Sequence, residues 1–326
     1  SAISFTSNDT QASEFVFARS INATINLDAY EHIAFLEEAA GLPETVSLRF
    51  NPGGVFSLGT DIMDHPEESK FGMTKEQLFQ GYQDLKDKGV KSFGLHAFLA
   101  SNTVTNDYYP TLAAQLFELA VEIKNELGIS LDFINLSGGI GIDYSAADEQ
   151  NDIAVIGEGV HQKFDDILVP NGLSQIKIYT ELGRYMLASH GHLITKVLHL
   201  KDTYRHYVGV DASAVNLLRP AMYDAYHHIT NISNPQGTVQ VVDIVGSLCE
   251  NNDKFAKRRE LPEARVGDTL VIHDTGAHGF SMGYNYNGRL RSAEILLRED
   301  GQTQMIRRAE TPEDYFATLY GFNFDR

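Results

Sequence analysis

Short runs of apolar, β-branched residues alternate with longer segments in which apolar residues recur every three or four positions. This alternation continues to about residue 181. The short runs predict strands at 3–7, 23–27, 46–50, 92–96, 133–137 and 177–181. The longer segments predict helices at 30–40, 75–88, 109–127 and 153–168, the last opened by Asp152 as an N-cap. Strand and helix in alternation imply a parallel sheet covered by helices. Six such units, with polar residues gathered at the C-terminal ends of the strands, suggest a (β/α)8 TIM-type barrel two units short of closure, whose chemistry would sit at that rim. After about residue 188 the period shortens. Runs at 193–200, 206–210, 239–245, 269–273 and 291–297 read as strands, separated by turns such as Asn234-Pro235-Gln236-Gly237 and Val266-Gly267-Asp268. They predict a second, mostly antiparallel β domain, with a short helix at 311–319 behind Thr311-Pro312-Glu313. The expected organisation is an incomplete barrel over residues 1–188 and a C-terminal β domain over 189–326.

Composition narrows the function classes. The chain has 326 residues, of which 43% are hydrophobic, enough for one large domain or two ordinary ones. It carries 26 Lys and Arg against 44 Asp and Glu, a net charge of -18. Such a chain is not expected to grip nucleic acid or an anionic membrane without a local basic patch. The one basic run, at 254–259, is expected to be a solvated face. No apolar run approaches the ~20 residues a spanning helix needs. The N-terminus lacks a basic segment followed by an apolar one, so the cytoplasm is the expected compartment. A single cysteine excludes an internal disulfide. The twelve histidines show no metal-ligand spacing, so no metal is assigned, and His227-His228 is expected to be a solvated helix end.

Two strand ends carry candidate chemistry. Ser137-Gly138-Gly139-Ile140-Gly141 follows the fifth strand, and its glycines let backbone N–H groups approach an anion. It lacks the spacing of a dinucleotide-binding turn. Thr180-Glu181-Leu182-Gly183-Arg184 follows the sixth strand and offers a carboxylate and a guanidinium. A glycine turn is commonly just a turn, and a strand-end acid is commonly the partner of an arginine. Together, a phosphate cradle and an acid on neighbouring strands suit pyridoxal phosphate, whose ring nitrogen needs such a partner. Arg184, Arg219 and Tyr223 are donors of the kind that clamp carboxylates. Cys249 follows a Gly-Ser turn and precedes Glu250, which suggests an exposed rim and a proton donor rather than a buried small hydrophobe. Tyr284, Tyr286 and Asn287 sit in a glycine-rich loop whose tyrosines could reach a phosphate or simply pack the β domain.

In this order and spacing the segments resemble the pyridoxal-phosphate-dependent, alanine-racemase-like decarboxylases, and among them the diaminopimelate decarboxylases. The markers are Arg49-Phe50-Asn51-Pro52, Ser69-Lys70-Phe71-Gly72, Gly94-Leu95-His96-Ala97-Phe98-Leu99-Ala100-Ser101, the 137–141 turn, Glu181-Leu182-Gly183-Arg184, Arg219-Pro220-Ala221-Met222-Tyr223, Cys249-Glu250 and Tyr286-Asn287-Gly288-Arg289. The resemblance implies that Gly138, Gly139, Gly141, Gly183 and Tyr286, helped by Ser101, hold the cofactor phosphate, and that Glu181 holds the ring nitrogen. It implies that Arg184, Arg219, Tyr223, Glu250 and Tyr286 line the cofactor and substrate, with Cys249 as the proton donor to the α-carbon. It also implies a homodimer in which Cys249 and Glu250 reach the partner's site. The substrate it implies is meso-diaminopimelate, converted to L-lysine and CO2, with carboxynorspermidine or another basic amino acid as the alternative. A non-catalytic homologue that keeps the pocket is a further alternative.

The chain departs from the family pattern at three positions. Phe98 stands where a cofactor-stacking histidine is usual, Ala100 replaces a glycine and Leu182 replaces a proline. A larger departure is that the first strand here matches the family's third, so the first two strand–helix units and their Schiff-base lysine are expected to be missing. Lys70 lies in a loop and Lys177 precedes Glu181 by a strand's length, so neither replaces that lysine. The chain as it stands is expected to be an inactive, N-terminally truncated form.

Overall fold

The computed structural model describes residues 3–54, 66–145 and 151–321. They form two compact units. One comprises the described residues up to 143 and from 151 to 185, and the other residues 144–145 and 186–321.

In the first unit, strands β1 (Ser4–Ser7), β2 (Thr24–Leu27), β3 (Thr45–Arg49), β4 (Ser92–His96), β5 (Phe133–Asn135) and β6 (Lys177–Tyr179) form one sheet in sequence order. Every pairing is parallel. The crossovers carry α1 (Ala12–Ser20), α2 (His32–Ala40), α3 (Lys75–Asp87), α4 (Tyr108–Leu127) and α5 (Ile153–Lys163), and α6 (Gly183–Leu187) follows β6. Among the described residues the sheet is open, with β1 and β6 at its edges. Asp152 caps α5, accepting from the amides of Ala154 and Val155. The predicted helix over 153–168 changes to a π-helical turn at Phe164–Leu168. α1 had no counterpart in the prediction.

Successive side chains of a strand point to opposite faces. One face presents Ile25, Leu27, Val46, Leu48, Leu95 and Ile134, all buried in the core with residues of the helices. The other face is polar. It carries Asn26, Ser47, Arg49, His96 and Asn135, brought level by the register, and all five are buried.

The second unit contains β7 (Leu193–Asp202), β8 (His206–Val210), α7 (Arg219–Tyr223), β9 (Ile229–Asn231), β10 (Val239–Val245), β11 (Lys254–Pro262) and β12 (Thr269–Ile272). Its main sheet runs β11-β10-β8-β7-β12-β9. All pairings are antiparallel except β10 with β8. A hairpin of β13 (Glu294–Leu297) and β14 (Thr303–Arg307) follows, then α8 (Pro312–Tyr315), capped by Thr311.

Two readings of this unit need correction. The basic run at 254–259 is not simply a solvated face but part of β11. Phe255 and Ala256 point into the core, and Arg259 reaches the His227 carbonyl and lies 3.9 Å over the Tyr226 ring. A bulge hides this strand in the sequence, because Arg258 takes φ +49° and interrupts the alternation. His227 is not a solvated helix end. It precedes the short strand β9 and is fully buried.

Candidate active site

The candidate elements of the first unit meet at the C-terminal ends of β4, β5 and β6. Beyond Asn135 the chain turns through Ser137 at φ +57° and Gly139 at φ +125°. A Cβ at Gly139 would lie 2.6 Å from the Tyr108 ring, and one at Gly138 would lie 2.9 Å from the Glu181 carbonyl oxygen. Both positions therefore require glycine. The turn is clamped from outside: Tyr109 donates to the Ser137 carbonyl at 2.5 Å, and the Thr103 amide donates to the Gly139 carbonyl at 2.8 Å. Burial raises the Tyr109 phenol, with Tyr108 and Glu181 adding to the effect, so it remains a donor.

The amides of the turn are not equivalent. Gly141 donates to the Thr103 carbonyl at 2.8 Å, and Gly183 donates to the Glu181 carbonyl at 3.0 Å. Among the described residues, the amides of Gly138 and Gly139 donate no hydrogen bond within the protein. These two point to an anion-binding turn; Gly141 serves packing, since a Cβ there would lie 2.6 Å from Asn102 Oδ1.

Glu181 is bonded directly to this turn. Its amide donates to the Ser137 carbonyl at 2.7 Å. Its carboxylate accepts from Asn135 Nδ2 at 2.8 Å and from Ser137 Oγ at 3.3 Å. The residue is exposed overall, yet both carboxylate oxygens are oriented by neutral donors from β5 and the turn. Arg184 donates to Ser101 Oγ at 3.4 Å, joining the segments after β6 and β4.

Residues with no role assigned from sequence complete this face. Arg49 is buried and pairs with Asp28 at 2.9 Å, while Asp28 also accepts from the Gly72 amide at 3.3 Å. Burial lowers the Arg49 guanidinium, against the fields of Asp28 and Glu181. The Met73 amide donates to the Arg49 carbonyl, and Asn51 Nδ2 donates to the Phe71 carbonyl, so two sequence markers twenty residues apart form one structure. A shallow pocket opens here, lined among others by Arg49, Asn51, Phe71 and Phe98. The Phe98 ring lies 3.8 Å from where a Gly138 Cβ would stand, so the pocket borders the turn. His96 is buried, with no partner on either ring nitrogen among the described residues. Burial, reinforced by Arg49, depresses its pKa to about 3, which keeps it neutral. The pattern Val46-Ser47-Leu48-Arg49 carried the missed signal, because it places Ser47 and Arg49 together on a non-core face.

In the second unit, the Cys249 amide donates to Asn287 Oδ1 at 2.7 Å, which brings the Cys249-Glu250 turn beside the loop of Tyr286. Cys249, Glu250, Tyr286 and Tyr223 are all exposed. Asp253 fixes the base of this turn by accepting from the amides of Leu248 and Ala214, both at 2.8 Å. Arg219 is 6% exposed. Its guanidinium donates to His227 Nε2 at 2.8 Å and lies 4.4 Å over the Tyr144 ring.

The family described as "Pyridoxal-dependent decarboxylase, C-terminal sheet domain" matches residues 97–276, more than half of the chain. The chain belongs to the pyridoxal-dependent decarboxylases. Protein TabA of Pseudomonas amygdali pv. tabaci is 39% identical over 313 residues, covering 96% of this chain and 73% of its own. The diaminopimelate decarboxylase of Methanothermobacter thermautotrophicus is 34% identical, again over 96% of this chain and 73% of its own. Among solved structures, the diaminopimelate decarboxylase of M. jannaschii superposes with a TM-score of 0.87 at 28% identity, over 97% of this chain and 74% of that one. The same enzyme in complex with L-lysine superposes with a TM-score of 0.84 at 30% identity, over 95% and 72%. The open parallel sheet is thus the barrel portion of a pyridoxal-dependent decarboxylase, and the mixed sheet follows it as in those enzymes.

Proposed function

We propose that this pyridoxal-dependent decarboxylase acts on meso-diaminopimelate and releases CO2 to give L-lysine, with pyridoxal 5'-phosphate as cofactor. The observation that carries the reading is the direct bonding of Glu181 to a turn with two uncommitted glycine amides. The donor set fits a phosphorylated pyridine: amides for the phosphate, a carboxylate for the ring nitrogen and the Phe98 ring beside the turn. Once bound, the cofactor supplies the electron sink that stabilises the carbanion left by CO2.

The protein's own residues do the rest. The Gly138 and Gly139 amides anchor the phosphate, with Gly141 and Gly183 shaping the two turns and Ser101, Arg184 and Tyr286 assisting. Glu181 holds a proton on the ring nitrogen, and Asn135 and Ser137 fix the direction of its carboxylate. Cys249 delivers a proton to the α-carbon. Arg219, Tyr223, Glu250 and Arg184 recognise the distal amino-acid end of the substrate. Residues 1–188 serve as the cofactor-binding part and 189–326 as the C-terminal β domain, working in a homodimer with shared sites. Lys70 and Lys177 are both exposed, and neither is assigned the covalent attachment.

Spectroscopic titration with pyridoxal phosphate tests the cofactor site. Gly139→Val is expected to abolish saturable binding and Glu181→Gln to weaken it; unchanged binding in both would end the assignment. Borohydride reduction followed by peptide mapping is expected to find no adduct on Lys70 or Lys177. Turnover of meso-diaminopimelate beside carboxynorspermidine tests the substrate. Reaction of the second alone would reverse the choice.

A further inference from the structure

We infer that His227 is a positioning residue that sets the selectivity for a substrate's distal carboxylate, acting through Arg219. This rests on the reading of Arg219 as the group that meets that carboxylate, and it names what holds Arg219 in place.

His227 is fully buried and its ring is fixed at both nitrogens. Nδ1 lies 2.8 Å from the backbone carbonyl of His273, an acceptor only, so Nδ1 carries the proton. Nε2 is 2.8 Å from the Arg219 guanidinium, which only donates, so Nε2 presents its lone pair. The two contacts together select one neutral tautomer. A second restraint comes from Tyr144, whose ring lies 4.4 Å beneath the guanidinium carbon and meets the His227 ring edge-on at 4.9 Å. The guanidinium is therefore located in its plane by the imidazole and along its normal by the phenol ring.

The chemistry of the neutral partner is the point. A carboxylate at position 227 would cancel the charge of Arg219 and compete with an incoming carboxylate. A neutral acceptor takes one N–H of the planar fork without bringing a negative charge of its own, and so fixes the plane in which the guanidinium would meet a carboxylate. Nothing in the sequence assigns such a role, since Arg219 and His227 are separated by a helix end and a loop.

L-Lysine and 1,5-diaminopentane differ by a single carboxylate, and the test reads the ratio of their dissociation constants. Both would be titrated calorimetrically into the cofactor-loaded full chain. The parent is expected to favour L-lysine. His227→Asn keeps the donor to the His273 carbonyl but loses the acceptor for Arg219, and should lower the ratio about tenfold, the scale of one charge-assisted hydrogen bond. His227→Gln restores an acceptor at the Nε2 position and should hold the ratio near the parent value. Thermal unfolding of each variant reports stability separately. A purely structural role would weaken both ligands together and leave the ratio unchanged, which would overturn the inference. Arg219→Gln separates the two layers: if it abolishes the preference while His227→Asn does not, the inference falls and the reading of Arg219 stands. If Arg219→Gln leaves the preference intact, or the parent shows none, the reading falls and the inference with it.

Discussion

In the first unit a carboxylate, Glu181, is held by the amide of Asn135 and the hydroxyl of Ser137. In the second a guanidinium, Arg219, is held by the imidazole of His227. Each ion is oriented by a neutral group, so its charge is not cancelled by the bond that aims it. In the same unit as Glu181, Arg49 and Asp28 show the opposite arrangement, two buried ions that neutralise each other. The contrast separates two uses of charge. An ion paired with an ion stabilises the fold around it or sets its shape, while an ion aimed by dipoles retains attraction for a ligand. Burial does not follow the same division, for Arg219 is as enclosed as Arg49 while Glu181 is exposed.

The largest expected effect comes from breaking the ion–ion arrangement. Arg49→Met leaves the Asp28 carboxylate buried without its counter-ion, and should lower the unfolding free energy of the cofactor-free protein by about 3–5 kcal/mol. Glu181→Gln removes a charge whose partners are neutral and whose surroundings are wet, so its cost in the same urea experiment should be much smaller. Similar losses in the two variants would erase the distinction drawn here.

Acid titration sharpens the contrast by isolating a buried group that is kept neutral. Folded His96 gains its proton only near pH 3, whereas an unfolded imidazole does so near 6.5. Its contribution is therefore fully present above about pH 6.5 and is lost as the pH falls through that window toward the folded value. The slope is at most roughly 1.4 kcal/mol per pH unit. In His96→Gln the urea midpoint should vary less between about pH 6.5 and 4 than in the parent. An identical pH dependence would show that His96 does not carry it.

The strand–helix alternation made the parallel sheet legible, because its strands are short runs rich in apolar residues and most are followed by a helix of clear period, α1 being the exception. The Ser137 turn and Glu181 were legible for the same reason, since strand ends mark the rim. What escaped was set by contacts distant in sequence. Arg49 and His96 stood in the sequence only as parts of two markers, without a role, and the register places them on one face with Asn135. His227 could not be placed, because the strand behind it is only three residues long and its partners lie at positions 144, 219 and 273. β11 was obscured by its bulge and its basic side chains.

The smallest expected effect concerns how tightly the Glu181 side of the comparison is built. Ser137 contributes a hydroxyl to the carboxylate across 3.3 Å and at the same time occupies φ +57°, a region costly to any residue with a Cβ. Ser137→Ala loses the first property and keeps the second. Ser137→Gly loses the first and relieves roughly 1–2 kcal/mol of the second. Against that relief stands roughly 0.4–1 kcal/mol from the greater freedom of glycine in the unfolded chain. The glycine variant should therefore be slightly more stable than the alanine variant in urea, while both bind pyridoxal phosphate equally and less tightly than the parent. A glycine variant no more stable than alanine would mean that the turn relaxes around its side chain. Tighter cofactor binding by glycine than by alanine would mean that backbone freedom, rather than the hydroxyl, governs how Glu181 is aimed.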